Sequence, residues 1–309
     1  MASTGSSTRL AGNHAGNHGA ISHGAISPKD FELSELNRIS ATFQQLQSRD
    51  QMAFMPFVTC GDPDLDTTLA VIRELARQGV DLIELGFPYS DPIADGPVIQ
   101  ASYTRALNVG LQVEQIFNAL EQLADDDIPP MLAMVSFAII FRIGKEEFVS
   151  RARRAGLAGL IVPDLPGDES AEFVEIVRRN QMDLIQLVAP TTPPDRLEGI
   201  LANCSGFVYC VSTTGTTGVR EGIPPELAGQ LSHLRSRTKL PLAVGFGISR
   251  PEHVDVLRGQ ADGVIVGSGL VRLLAELDSG ESTRDAVIER IGALAAGMVR
   301  AVRNSPADS

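Results

Sequence analysis

The sequence is poor in the residues from which many active sites are built. It has no Trp, five His and three Cys, and three of the His lie in the first 25 residues. A histidine-based metal site or catalytic triad in the body of the chain is therefore not expected. The cysteines, Cys60, Cys204 and Cys210, have neither zinc-ligand spacing nor a disulfide pattern, which indicates a reducing, cytoplasmic setting. No apolar run is long enough to cross a membrane.

Positive charge is also scarce. The 26 Lys and Arg face 38 Asp and Glu, which gives a net charge of −12. A chain this acidic lacks the broad basic face that a nucleic acid or an anionic membrane needs, so neither is an expected partner. The apolar fraction of 43% excludes general disorder and provides ample material for a core.

The first 29 residues differ from the rest of the chain. They contain no acidic residue and carry the imperfect repeat AGNHAGNHGAISHGAIS, which has neither helical nor strand periodicity. Such a composition cannot bury enough surface to become ordered, so we expect residues 1–29 to form a disordered extension. Two alternatives are a transit peptide, which would direct the protein to a plastid, and a histidine-bearing metal scavenger.

From residue 30 onward, short apolar runs alternate with helical patterns. Residues 66–78 form an apolar stripe that ends at Gly79, Ser249 and Glu252 form a capping box for a helix through Leu257, and a last helix follows at the C-terminus. Near-continuous apolar strands are typical of parallel sheets covered on both faces. The eight strand candidates are 53–59, 81–86, 131–136, 159–164, 184–190, 206–212, 242–247 and 263–268.

Eight strands, each followed by a helix, predict a single (β/α)8 TIM barrel over residues 30–309. An open doubly wound sheet is the alternative, because periodicity does not distinguish a closed parallel sheet from an open one. No GxGxxG follows the first strand, which disfavours a dinucleotide-binding version of the open sheet.

In such a barrel, function collects at the carboxyl ends of the strands. Alternation along the second strand directs Glu84 into the barrel if Ile83 and Leu85 face the helices. A desolvated carboxyl there has a raised pKa and can act as acid or base near neutrality. The alternative is a structural carboxylate paired with an inward Arg or Lys. In the following loop, Asp91 and Asp95 are either catalytic or bonded to their own turn.

Three later loops carry the signature of a phosphate site. Residues 213–218, 245–249 and 267–269 are rich in Gly and hydroxyl residues and follow strands six, seven and eight. Glycine lets backbone N–H groups approach an anion, and the loops after strands seven and eight are the usual phosphate station of this barrel. A small phosphorylated substrate is therefore expected.

Tyr209 either reaches the pocket or belongs to the core. Four apolar side chains at the barrel mouth could together bind a flat apolar ring of a substrate. They are Phe57, Met134, Ile161 and Phe246.

The 18-residue segment IELGFPYSDPIADGPVIQ, residues 83–100, resembles the signature of the tryptophan synthase alpha subunit family. The resemblance extends over about residues 38–303. It implies a TIM-barrel lyase that splits indole-3-glycerol phosphate into indole and glyceraldehyde 3-phosphate. Glu84 would then be the general acid and base, Asp95 would accept a hydrogen bond from the indole N–H, and Tyr209 would support them.

The resemblance also implies the remaining site residues and the partner. Gly218, Gly247, Gly267 and Ser268 match phosphate-binding positions, and Phe57 and Phe246 match the indole pocket. Thr217 matches a loop threonine that approaches the catalytic Asp on closure. The family needs no metal or organic cofactor in this subunit. Its partner is a pyridoxal-phosphate beta subunit, usually in an αββα complex, and Asp91 and Pro92 fall at that interface.

The chain departs from the family pattern at one place. Where Tyr-x-Asn-Pro is common after the third strand, this chain has Ser136, Phe137, Ala138 and Ile139. That segment lies toward the pocket and the partner, so the change bears on subunit coupling more than on chemistry. Three alternatives to a synthase subunit follow: a stand-alone lyase that releases indole, a non-catalytic activator of a beta subunit, and another phosphate-binding barrel such as a sugar-phosphate isomerase.

Overall fold

Eight parallel strands close into a barrel in sequence order in the computed structural model, so each strand pairs with the next and β8 pairs with β1. This closure confirms the predicted TIM barrel, and the alternative of an open sheet is wrong. The structure describes residues 37–92, 95–165, 170–211, 225–245 and 251–303. The strands are β1 (Ala53–Thr59), β2 (Ile83–Gly86), β3 (Met131–Met134), β4 (Leu157–Ile161), β5 (Asp183–Val188), β6 (Val208–Val211), β7 (Leu242–Gly245) and β8 (Gly263–Val266).

Helices connect the strands and cover the outside of the barrel. None of the described helices is long and apolar enough to span a membrane. The helices are α1 (Arg38–Gln47), α2 (Leu65–Arg77), α3 (Pro97–Asn108), α4 (Val113–Leu120) with a short 3-10 turn (Glu121–Leu123), α5 (Phe137–Ile143), α6 (Lys145–Arg154), α7 (Ser170–Arg179), α8 (Pro194–Ala202), α9 (Pro225–Arg235), α10 (Glu252–Asp255), α11 (Ser268–Asp278) and α12 (Arg284–Arg303).

The buried apolar side chains form two clusters, one between strands and helices and one inside the barrel. Ile83 and Leu85 of β2 belong to the outer cluster, while Leu82, the residue before β2, belongs to the inner one. Glu84 pairs in register with Phe57 of β1 and Leu132 of β3, and both partners are in the inner cluster. Glu84 therefore points into the barrel, as the alternation predicts.

Helix α1 closes the amino-terminal end of the barrel. Its buried residues Ile39, Phe43 and Leu46 all belong to the inner cluster. The rings of Phe43 and Phe207 lie 5.6 Å apart, and Asn37 caps the helix by accepting from the Ile39 amide. The floor of the barrel is therefore packed with side chains from a helix that precedes the first strand.

The strands are mostly shorter than predicted. Asp81 precedes β2 because its carboxylate accepts from the Phe54 amide at 2.8 Å and from Arg303 at 2.5 Å. The strand predicted over 206–212 is β6, which begins after Gly206, where φ is +74°. Strand β4 begins earlier than predicted and ends before Pro163, which lacks the N–H that a ladder needs.

The helix predictions have mixed outcomes. Helix α2 ends beside Gly79, whose φ of +76° suits a helix terminator, as predicted. The prediction of a helix continuing through Leu257 is wrong, because α10 ends at Asp255. Its proposed cap, Ser249, and the whole predicted extension 1–29 lie outside the described residues.

Candidate active site

Glu84 is a buried carboxyl group on β2. The residue is 1% exposed, and neither Oε atom has a hydrogen-bond partner among the described residues. Among the described residues, no Arg or Lys pairs with Glu84. Burial, followed by the nearby charge of Asp95, raises the pKa of Glu84 from 4.5 to about 8. The group thus holds a transferable proton at neutral pH.

Asp95 lies in the loop between β2 and α3, close to Glu84. Tyr89 Oη donates to its Oδ2 at 3.4 Å, and Gln100 of α3 holds the loop by donating to the carbonyl oxygens of Asp95 at 2.8 Å and Pro92 at 3.1 Å. Burial raises the pKa of Asp95 to about 6, and the Tyr89 bond opposes that rise. At neutral pH, Asp95 is ionised while Glu84 is mostly protonated.

Tyr209 on β6 belongs to the inner cluster and is 4% exposed. Burial, and then the charges of Glu84 and Asp95, raise its pKa well above 10, so its hydroxyl keeps its proton. Gly245 on the neighbouring strand makes room for it, because a Cβ there would lie 2.4 Å from Tyr209 Oη. Tyr209 therefore lies inside the barrel, within reach of the charges of Glu84 and Asp95.

Phe57, Gly267 and Ser268 meet at the carboxyl end of β1 and β8. Gly267 caps α11 and Ser268 is its first residue. The first turn of this helix has no acidic residue and no side-chain cap, so its amide groups are available to an anion. A Cβ at Gly267 would lie 3.4 Å from Phe57 Cβ, so the aromatic ring and the helix amides line one region.

Four of the predicted site residues, Thr217, Gly218, Phe246 and Gly247, lie outside the described residues. Of the two predicted interface residues, Asp91 is exposed and Pro92 is partly exposed. Ser90 Oγ donates to Asp91 Oδ2 at 3.2 Å. Both residues stand on the loop that also carries Asp95.

The segment that departs from the family pattern forms a capped helix start. Ser136 Oγ donates to Asp164 Oδ2 at 2.6 Å, and the Phe137 amide donates to Asp164 Oδ1 at 2.7 Å. Ser136 also accepts from the Ala138 amide at 3.3 Å. The helix that follows, α5, presents Phe141, which is 66% exposed.

Within the described ranges, no group of three His, Cys, Asp or Glu is arranged to hold a metal ion.

Sequence reasoning missed two tyrosines at the site. Tyr89 donates a hydrogen bond to Asp95, as described above. Tyr103 of α3 packs against Tyr89, and the centres of the two rings are 5.5 Å apart. The helical spacing of Ile99, Tyr103 and Ala106 places Tyr103 on the buried face of α3, but it does not show that the hydroxyl reaches into the barrel. The signal that was available is Gly86 at the end of β2, because a missing side chain leaves room for a neighbour.

Comparison with known proteins agrees with this geometry. A family model described as "Tryptophan synthase alpha chain" matches residues 43–300. The tryptophan synthase alpha chain of Rhodopirellula baltica is 46% identical over 241 residues, covering 77% of this chain and 87% of its own. That of Rippkaea orientalis is 42% identical over 269 residues, covering 87% and 99%.

Solved structures give the same result. The tryptophan synthase alpha chain of Legionella pneumophila superposes with a TM-score of 0.78 at 32% identity, covering 88% of this chain and 99% of that chain. A mutant alpha subunit from Pyrococcus furiosus superposes with a TM-score of 0.73 at 36% identity, covering 81% and 99%. The match of the family model, the relatives and the barrel together establish that this chain belongs to the tryptophan synthase alpha chain family.

Proposed function

We propose that Glu84 and Asp95 are the two catalytic carboxyls with which this lyase cleaves indole-3-glycerol phosphate in tryptophan biosynthesis. The observation that carries the proposal is their unequal environment. Glu84 is buried, has no hydrogen-bond partner in the described part of the barrel and has a pKa of about 8, whereas Asp95 is less buried and has a pKa of about 6. Two neighbouring carboxyls with separated pKa values are suited to different roles at one pH.

Glu84 carries the proton transfers of the cleavage. In its protonated form it donates a proton to C3 of the indole ring, which places a positive charge at the ring nitrogen. The resulting carboxylate removes the proton from the hydroxyl on the adjacent glycerol carbon. The C–C bond then breaks, its electrons return to the ring, and the hydroxyl oxygen becomes the aldehyde oxygen. Glu84 ends the cycle protonated, so the reaction needs no external proton.

Asp95 acts as the fixed negative charge. Ionised at neutral pH, it accepts a hydrogen bond from the ring N–H and stabilises the positive charge that develops there. Gln100 and Tyr89 hold it in place, which keeps the cost of reorganisation low. Tyr209 of β6 stays protonated and provides a neutral hydroxyl near both carboxyls.

The rest of the substrate fits the neighbouring region. The amide groups at Gly267 and Ser268 suit the phosphate, and Phe57 suits the face of the indole ring. We propose that Gly218 and Gly247 complete the phosphate site, that Phe246 completes the indole pocket, and that Thr217 approaches Asp95 when the substrate is bound. No metal or organic cofactor takes part in this scheme.

A pyridoxal-phosphate beta subunit is the partner that we propose, in an αββα complex. Asp91 and Pro92 lie on the loop that carries Asp95, so a partner bound there would affect the position of Asp95. Phe141 adds an exposed aromatic side chain on α5, and a contact surface commonly contains such residues. We propose a cytoplasmic location, which the bacterial relatives support.

A stand-alone lyase is the second candidate, because Ser136 and Asp164 form a closed hydrogen-bonded unit at the segment that departs from the family pattern. Indole release by the purified chain, measured with and without a beta subunit, separates the two candidates. Slow release that rises strongly with the partner supports the synthase subunit. Fast release that is insensitive to the partner supports the stand-alone lyase.

The catalytic roles are tested with Glu84→Gln and Asp95→Asn. Each variant should release indole at least about 100-fold more slowly while retaining the fold, as judged by circular dichroism. Asp183→Asn is the matched control, because Asp183 is a buried acid at the opposite end of the barrel and should leave indole release unchanged. Turnover near that of the wild type in either catalytic variant would refute the assigned role.

A further inference from the structure

Tyr103 has a buried hydroxyl group for which the reaction scheme above gives no role. The residue is 1% exposed, and its Oη has no hydrogen-bond partner in the described part of the chain. Leaving a hydroxyl buried and unpaired costs about 1–3 kcal/mol, so such groups are rare and require an explanation. Glu84 is the other unpaired group in the same part of the barrel.

Gly86 shows where the hydroxyl points. A Cβ at this position would lie 2.7 Å from Tyr103 Oη and 2.4 Å from Phe57 Cζ. Gly86 and Glu84 are two residues apart on β2, so both face the barrel interior, and their side-chain positions are about 7 Å apart. Tyr103 Oη therefore occupies the space directly above Glu84, on the side of the barrel mouth.

Helix α3 holds Tyr103 in this position from both sides. Ser102 Oγ lies 2.7 Å from Thr59 Oγ1 at the end of β1, and both residues are fully buried. Arg105 makes a two-pronged ion pair with the buried Asp62, with distances of 2.8 Å and 2.7 Å. These contacts fix the middle and the last turn of α3 to the barrel. The Tyr103 hydroxyl is thus preorganised, which is what an effective hydrogen-bond donor requires.

We propose that Tyr103 Oη donates a hydrogen bond to the glycerol oxygen whose proton Glu84 removes. This inference rests on the proposed roles of Glu84 and Asp95. An alcohol group placed between the two would donate to the Glu84 carboxylate and accept from Tyr103, and would satisfy both unpaired groups together. Burial and then the charges of Asp95, Tyr89 and Glu84 raise the pKa of Tyr103, so the hydroxyl remains a donor throughout.

The donor acts on the oxygen as its proton leaves. While Glu84 takes the proton, negative charge builds on the oxygen until the C–C bond breaks and the aldehyde forms. A hydrogen bond to that oxygen is therefore stronger in the transition state than in the bound substrate. Such an interaction raises kcat and has little effect on KM.

The test is Tyr103→Phe, which removes one oxygen atom and keeps the ring against Tyr89. We expect kcat for indole release to fall about tenfold, the value of one hydrogen bond, with KM nearly unchanged. Binding of 3-(indol-3-yl)propyl phosphate, which has no chain hydroxyl, should be equal in variant and wild type. Stability should not fall, because none of the described residues is bonded to the lost hydroxyl.

Ser205→Ala is the control. It removes a hydroxyl that accepts from the Leu184 amide at 3.0 Å at the start of β5, at the opposite end of the barrel from Tyr103, so it should lower stability and leave kcat unchanged. An unchanged kcat in Tyr103→Phe would overturn the inference. If Glu84→Gln is inactive in the same assays, the proposed function survives that result. If Glu84→Gln is active as well, the proposed function fails and the inference fails with it. Weaker binding of the propyl phosphate by Tyr103→Phe would also overturn the inference, since it indicates damage to the pocket.

Discussion

Replacing Glu84 by Gln should stabilise the protein at alkaline pH while it abolishes activity. The pKa of Glu84 rises from 4.5 in the unfolded chain to about 8 in the folded one. Below pH 4.5 both states hold the proton. Between pH 4.5 and 8 the unfolded chain loses the proton and the folded chain retains it, so the wild type loses stability as the pH rises. Gln, which carries no charge, is free of this loss.

The size of the effect follows from the pKa values. Each pKa unit corresponds to about 1.4 kcal/mol, so the rise of about 3.5 sets a ceiling of about 5 kcal/mol at pH 8 and above. Entry of water around the charged carboxylate lowers this figure, and we expect Glu84→Gln to gain about 2–4 kcal/mol at pH 9 relative to pH 4.5. Because the chain has no Trp, the free energy of unfolding is best measured by urea denaturation followed by circular dichroism.

Asp183→Asn is the control for this measurement. Burial raises the pKa of Asp183 from 3.8 to about 6, and a hydrogen bond from Ser205 opposes the rise, so its gain should level off near pH 6. Comparing each variant with the wild type cancels the other titrating groups. A stability difference for Glu84→Gln that does not change between pH 5 and pH 9 would refute the conclusion that Glu84 is desolvated.

Three further outcomes are expected. The value of kcat/KM should rise through about pH 6, be greatest near pH 7 and fall beyond about pH 8, because Asp95 must be ionised and Glu84 protonated. A pH profile that lacks the rise or the fall would contradict these two protonation states. Gly245→Ala should lower kcat at least tenfold by displacing Tyr209, whereas the same change at Gly199, which has open space around it, should not. Phe141→Asp should reduce stimulation by a beta subunit and leave unassisted indole release unchanged; equal stimulation would exclude α5 from the interface.

The sequence predicted the position of Glu84 because a strand has a strict period of two. Once Ile83 and Leu85 are assigned to the helix-facing side, Glu84 faces the opposite way. That no basic residue of the described strands pairs with it was also predictable, since no strand core offers an inward basic residue. The strand ends were less predictable, because they depend on contacts between distant residues, such as that between Asp81 and Arg303.

The contributions of Tyr89 and Tyr103 could not be read from the sequence. A helical pattern identifies the buried face of α3, but it does not say how far a side chain on that face extends. Tyr103 reaches the interior because Gly86, on another element, leaves space for its hydroxyl. The contact between Gly86 and Tyr103 depends on how α3 packs against the barrel, so neither residue alone predicts the contact.

The packed floor of the barrel determines how molecules enter and leave. Since Ile39, Phe43 and Leu46 pack the amino-terminal end, we expect the substrate, the phosphorylated aldehyde and the indole to pass at the carboxyl end of the strands. A protein bound at that end would then affect the passage of all three. A partner seated over the loop of Asp91 and Pro92 would receive indole directly, before it could escape to the surrounding water.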